Sequence, residues 1–312
     1  MFHRSTAAVL IFVAISVSGC GASLLTRFIS RTVEHDSDPI EHVPNRISTP
    51  ILPDVGLSVL WIGHASVLIQ IHDKVFLTDP VFTRTVGMVS RRVVEPGIDA
   101  ATLSRADYVL ISHTHFDHLN YGSLSEIPKQ GKLLIPFGAA EYTPEFGFQE
   151  TREMRPWDVL EEDGVRITAV PAQHFSGRYG FDILWTTGQG YTGYVIQYKG
   201  KTLYFAGDTG YRDSLFTQIG QRFPIDVTLL PIGPIEPREM MSRVHLDPQR
   251  AVQAFGELNA RLMIPIHHRT FVQGLELSVM LAQEELEKIV AERGLQDRIH
   301  IMKIGERKIV GK

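Results

Sequence analysis

Thiols are nearly absent from this 312-residue chain, which has Cys20 as its one cysteine. That excludes an internal disulfide and removes thiolate from any binding site built from several side chains. An excess of positive charge is also missing: 31 Lys and Arg stand against 35 Asp and Glu, for a net charge of -4. Recognition of nucleic acid through its phosphates normally leaves a basic footprint, so no nucleic-acid partner is expected. The apolar run at 7–17, broken only by Ser16, falls short of the roughly 17 to 25 residues that cross a bilayer. No internal repeat or low-complexity tract is present.

Hydrophobic residues make up 44% of the chain and charged residues 21%, enough for a large buried core in one or two domains. Arg4 precedes the apolar run, which ends in Val17-Ser18-Gly19-Cys20, and a run of roughly 7 to 15 apolar residues behind a positive charge is the pattern of a secretory signal. The segment resembles a bacterial lipoprotein signal with Cys20 at the acylated position. That resemblance implies a lipid-anchored protein of a bacterial cell envelope, and Gly21 implies the outer membrane where the host has one. The alternative is an ordinary cleaved signal or an uncleaved anchor, with Cys20 incidental. Residues 20–54, rich in Ser, Asp, Pro and Thr, read as a tether or wrapping arm. The expected organisation is a signal segment 1–19, the arm 20–54 and one domain over 55–312.

From residue 55 onward, short runs rich in Val, Ile, Leu and Tyr alternate with turn residues. They predict strands at 58–61, 66–71, 75–78, 108–112, 132–136, 165–170, 193–198, 202–206, 227–231 and 262–266. Asp247-Pro248 offers an N-cap and a proline at the first helical position ahead of 251–258, and apolar residues at helical spacing mark 277–293 before Gly294. The core is expected to be dominated by sheet.

Metal-binding side chains sit where those strands end. His113 follows 108–112, His174 follows 165–170, Asp208 follows 202–206 and His267 follows 262–266. One histidine after a strand is usually a polar loop residue, but four strand ends supplying imidazole or carboxylate point to a single edge. In ISHTHFDHLN, 111–120, His113 and His115 alternate along an extended segment and face the same way, while Asp117 and His118 turn toward a second point. Imidazole and carboxylate without thiolate suit zinc or another divalent first-row ion, and their number favours two adjacent ions.

His113-Thr114-His115-Phe116-Asp117-His118 resembles the H-x-H-x-D-H signature of the metallo-β-lactamase superfamily. The resemblance runs from about residue 57 to the last strand, through WIGHASVLI (61–69), LTDPVF (77–82), PAQHFSGR (171–178), FAGDTGY (205–211), LLPIGPIEPREMMSRVHLDPQRAV (229–252) and IPIHHRTF (264–271). Within the superfamily these segments are most similar to the N-acyl-phosphatidylethanolamine-hydrolysing phospholipase D branch and its bacterial relatives. The resemblance implies an α/β fold, a four-layer αβ/βα sandwich with one catalytic domain and two zinc ions at the edge of its sheets. It places His113, His115 and His174 on one zinc and Asp117, His118 and His267 on the other, with Asp208 between them. It also implies a metal-bound hydroxide as nucleophile, oriented by Asp117, and a phospholipid or other phosphodiester as substrate. His245 is expected beside the metals as a donor to substrate or leaving oxygen, and His64 is expected to hydrogen-bond behind the ligands. His268 stands where an aromatic residue is common, Arg269 replaces a usual glycine, and FDILWTTGQG (181–190) matches the branch's tryptophan loop only in part. The alternatives are a di-zinc lactonase or other carbonyl hydrolase, and a non-catalytic envelope binding protein.

Overall fold

The computed structural model describes residue 30 and residues 39–44, 46–87, 90–178, 182, 184, 187–273, 275, 276 and 278–311. The signal segment, Cys20 and the tryptophan of the 181–190 loop lie outside the described residues.

The chain enters an antiparallel meander of β1 (Leu57–Gly63), β2 (Ser66–Ile71) and β3 (Lys74–Thr78). After a short ribbon, β4 (Thr85–Val86) with β5 (Ser90–Arg91), it adds β6 (Tyr108–Leu110), β7 (Lys132–Pro136) and β8 (Glu150–Met154) in parallel beside β3. A second sheet begins with the antiparallel β9 (Val159–Glu162), β10 (Val165–Val170), β11 (Gly193–Tyr198) and β12 (Lys201–Phe205). Parallel β13 (Val227–Pro231) and β14 (Leu262–Ile266) extend it, and β15 (Arg307–Ile309) returns to pair with β1.

Alternate side chains of each strand serve different layers. Val59 and Trp61 of β1 enter the core between the sheets with Ile69, Phe76, Ile167, Ile196 and Phe205. Leu60 and Ile62 face outward, into the layer closed by Leu124 of α1 (Tyr121–Glu126). The outer face of the second sheet, with Tyr204 and Leu230, is covered by α2 (Leu215–Arg222), α4 (Pro248–Leu258) and α5 (Leu281–Arg293); the one-turn α3 (Arg238–Met241) lies between α2 and α4 in sequence. Burial on both faces explains why the central strands read as continuous apolar runs. The result is the four-layer arrangement of helix, sheet, sheet and helix.

The strands predicted at 66–71, 132–136, 165–170, 193–198, 227–231 and 262–266 form with those bounds. The unpredicted β8, β9 and β15 are all sheet edges. Their sequences, ETREM, VLEE and RKI, carry charge because one side of an edge strand stays near water, and this hides the strand pattern. Asp247 caps α4 by accepting from Arg250 N at 2.8 Å, with Pro248 behind it as expected. The last helix starts at Leu281 rather than 277 and ends on Gly294 at φ 64.

Residues 39–44 and 46–54 pack onto the domain. Val43 is buried in the core between the sheets, while Ile47 and Ile51 lie against the outer layer. Glu41 joins 93–95 as a strand would, donating from N to Val93 O at 2.8 Å and accepting from Glu95 N at 2.9 Å. Packing therefore continues through residue 55. A chain beginning at residue 39 is expected to be more stable than one beginning at residue 55 by about 2–4 kcal/mol, from the burial of Val43 and parts of two isoleucines. Equal urea midpoints for the two chains would show that the arm adds no stability.

Candidate metal centre

The edge where the ligands gather is set by strand direction. β10, β12 and β14 point the same way, so His174, Asp208 and His267 leave the second sheet at one rim. His113 arrives from the facing sheet, tied to that rim by Thr192 N donating to Ser112 O at 2.8 Å and Tyr194 Oη donating to Ile111 O at 2.9 Å. His118 N and Leu119 N both bond back to His115 O, at 3.1 and 2.9 Å, closing one turn. The HTHFDH segment thus changes direction after His115, which separates the aim of His113 and His115 from that of Asp117 and His118. Arg178 pins the same loop by donating from Nη1 to Thr114 O and Leu119 O at 3.0 and 2.7 Å. Gly207 permits the approach of the Asp208 turn: at φ +60, a Cβ there would lie 2.3 Å from Ser112 Cβ.

All seven expected ligand residues meet in one cluster. His113, His115 and His174 offer ligand atoms within 4.8 Å of one another, and so do Asp117, His118, His267 and His64. Asp208 lies between the groups: its Oδ2 is 3.0 Å from His267 Nε2, 3.3 Å from His118 Nε2 and 3.9 Å from both His113 Nε2 and His174 Nε2. His245 stands at the margin, with Nδ1 3.7 Å from the same oxygen.

The outer hydrogen bonds decide which nitrogen each ring presents. His174 Nδ1 meets Val244 O at 2.8 Å and His267 Nδ1 meets Gly233 O at 2.9 Å. A carbonyl only accepts, so both rings carry hydrogen on Nδ1 and turn a lone pair on Nε2 inward. His118 Nδ1 donates to Asp79 Oδ2 at 2.7 Å, and Ser112 Oγ donates to that oxygen at 2.6 Å while accepting from His113 Nδ1 at 2.9 Å. Asp79 therefore orients two histidines from beneath, directly and through Ser112. The sequence marked it only as part of LTDPVF; its position just past a strand was the available signal. Gln273, which no motif contained, donates from Nε2 to Asp117 Oδ2 at 2.8 Å. His64 Nε2 donates to the same oxygen at 3.0 Å, the hydrogen bond expected of it, although its ring is also close enough to belong to the second group.

Inward-facing nitrogens crowd together, with His113 Nε2 2.7 Å from His115 Nδ1 and His118 Nε2 3.2 Å from His267 Nε2. His174 Nε2, Asp208 Oδ1 and His245 Nδ1 are buried without a hydrogen-bond partner among the described residues. Burial pushes the pKa of His113 and His174 well below the ordinary value, and takes His115 and His245 down to about 4. Burial opposes charge on His118 as well, but Asp208, Asp117 and Asp79 outweigh it and lift that ring well above the ordinary range. Burial likewise opposes charge on Asp208, yet His267 and His118 hold it well below the usual carboxylate range. With His113, His115, His174 and His245 kept neutral and Asp117 and Asp208 ionised, the cluster attracts positive charge, as the pull of those carboxylates on His118 shows, so this donor set fits divalent cations.

Backbone strain gathers at the same rim: His64, Asp79, His267 and Arg269 have φ of 55, 32, 61 and 59, in the left-handed region that costs a non-glycine residue about 1–2 kcal/mol. His268 belongs to none of these donor groups and stacks on Trp61 with centroids 4.6 Å apart. Arg269 turns outward and pairs with Glu41 of the arm at 2.8 Å.

Asp79→Asn is expected to weaken divalent-cation binding about 10–100-fold. An amide nitrogen facing His118 would reverse the ring's tautomer and put hydrogen on its inward Nε2. Competition against a chromophoric chelator measures this, and an unchanged affinity would remove Asp79 from the centre's support.

Comparisons with known proteins agree with this geometry. The beta-lactamase superfamily domain matches residues 74–268. The chain is 28% identical over 302 residues to the N-acyl-phosphatidylethanolamine-hydrolyzing phospholipase D 1 of Caenorhabditis elegans, covering 88% of this chain and 83% of that one. It is 30% identical over 253 residues to a metal-dependent hydrolase of Methanopyrus kandleri, covering 80% of this chain and 98% of that one. Among solved structures, an isothiocyanate hydrolase from Delia radicum gut bacteria shares the fold with a TM-score of 0.66 at 22% identity, over 80% of this chain and 98% of that chain. The chain belongs to the beta-lactamase superfamily and is a metal-dependent hydrolase of its metallo-β-lactamase fold.

Proposed function

We propose that this hydrolase is a binuclear zinc phosphodiesterase acting on phospholipids, the substrate class named in its C. elegans relative. The observation that carries the binuclear reading is the pair of donor groups sharing Asp208. His113, His115 and His174 would hold one ion and Asp117, His118 and His267 the other. Seven donors exceed the four of a single tetrahedral zinc. Zinc bound there supplies a water ionised near neutral pH and polarises a phosphoryl oxygen.

The protein's own groups do the rest. Asp117, fixed through Oδ2 by His64 and Gln273, accepts a hydrogen bond from the attacking water and aims it. The water oxygen joins phosphorus, the bond from phosphorus to the head-group oxygen breaks, and that oxygen leaves as an alcohol with a proton from the water, giving a phosphatidic acid. His245 Nδ1 has no hydrogen-bond partner among the described residues and a tenth of the side chain is open, so His245 would hydrogen-bond a phosphate or leaving oxygen.

Acylation of Cys20 would hold the domain at an envelope membrane, outer where the host has one. The arm beyond that cysteine meets the domain at the metal rim, where Glu41 pairs with Arg269, two residues after His267. Such a tether brings the site to its substrate.

Zinc-loaded protein assayed on phospholipids, short soluble phosphodiesters and lactones is expected to show its highest kcat/KM on long-chain phospholipids, because acyl-chain binding energy is usable at phosphorus. His245→Ala should lower phosphodiester turnover about 10²-fold or more with zinc content unchanged. Lactone opening without phosphodiester cleavage, in protein carrying both ions, would replace this substrate class with the carbonyl one. Cys20→Ser is expected to move the protein out of the membrane fraction or leave its signal unprocessed. One acyl chain binds only marginally, so mass spectrometry should find more than one on the mature terminus, and an unmodified Cys20 there would overturn the anchor.

A further inference from the structure

Gln273 lies on the loop leaving β14, two residues past Phe271, and is partly exposed. A carboxylate only accepts hydrogen bonds, so the bond to Asp117 Oδ2 fixes which end of the Gln273 amide points inward. The loop is itself anchored. The Phe271 ring lies edge-on to His64 with centroids 5.1 Å apart, Leu275 N donates to Glu236 O at 3.0 Å, and Glu276 Oε1 accepts from Ile235 N at 2.5 Å. The segment braced in this way carries Gly233, whose carbonyl holds His267. One loop therefore touches Asp117 through Gln273 and supports His267 through Glu276.

Support for the other donor group comes from elsewhere, through Ser112 behind His113 and Val244 behind His174. Asp117 also differs from its neighbours in freedom. Its side chain is 19% exposed, against 0–1% for those of His113, His118, His174 and His267. A short carboxylate at the solvent rim can turn toward water. Two N–H donors, the buried His64 and the partly exposed Gln273, oppose that turn.

We propose that Gln273 is a positioning residue for one half of the centre: its amide holds Asp117 toward His118 and His267, and so sets the affinity of that cation while leaving the His113, His115 and His174 cation untouched. The proposal rests on the binuclear reading above. It gives the loop after β14 control over the occupancy of the second position.

Cobalt(II) titration of the metal-stripped full chain, followed by visible absorption, reads binding without turnover. Wild-type protein is expected to show two events. Gln273→Met, which keeps length and packing but removes the donor, should weaken one event about 10–100-fold and leave the other within about twofold. Gln273→Asn, too short to reach, should match it, whereas a purely packing role would spare the Met variant and penalise the Asn variant. At saturating cobalt, KM for a phosphodiester should stay within about twofold of wild type, since Gln273 is placed on Asp117 and not on substrate. Two events in wild type with a Met variant indistinguishable from it, both events weakened alike, or a raised KM with both events intact would each overturn this proposal alone. A single cobalt ion in wild type would overturn the binuclear reading and this proposal with it.

Discussion

Lone pairs converging at one buried rim are the feature that the rest of this structure has to support. Seven histidines and two aspartates bring donor atoms together there, and nitrogens 2.7 and 3.2 Å apart face across the cluster. Burying such groups costs several kcal/mol unless each is paired or binds a cation. The fold limits that cost by fixing four of the rings from behind, through the Val244 and Gly233 carbonyls, the Asp79 carboxylate and the Ser112 hydroxyl. Left-handed backbone at His64, Asp79 and His267 accompanies the same arrangement.

The two halves of the centre are built differently. His113 follows a strand end and is held by the adjoining Ser112, while His174 is held by Val244 in the turn between α3 and α4. Asp117 sits past a turn, and the partner of His267 belongs to a loop that must itself be braced by Glu276.

The arm joins the domain at this rim as well. Glu41 adds to the 93–95 segment, Val93 N donates to Thr270 O, and Thr270 Oγ1 accepts from His64 N. A short ladder thus links the arm to a residue that hydrogen-bonds Asp117. This is why residue 55, a boundary drawn from composition, is not a boundary of packing: the described part of the arm buries Val43 and Pro50 against the domain.

The sequence by itself determined the central strands and the ligand-bearing turns. Strands buried on both faces must be apolar throughout, and imidazole or carboxylate just beyond each one has few bland explanations when four strand ends repeat it. It could not show the edge strands, whose exposed sides are charged, nor Asp79 and Gln273, whose types are ordinary in turns and loops. Residue type alone did not separate His268 from the adjacent His267; the family resemblance did, and the structure adds that His268 is buried against Trp61. Only the tertiary structure decided the edge strands, Asp79 and Gln273. A hydrogen bond between residues 156 positions apart, such as Gln273 to Asp117, has no periodicity to announce it and exists only because two sheets bring their rims together.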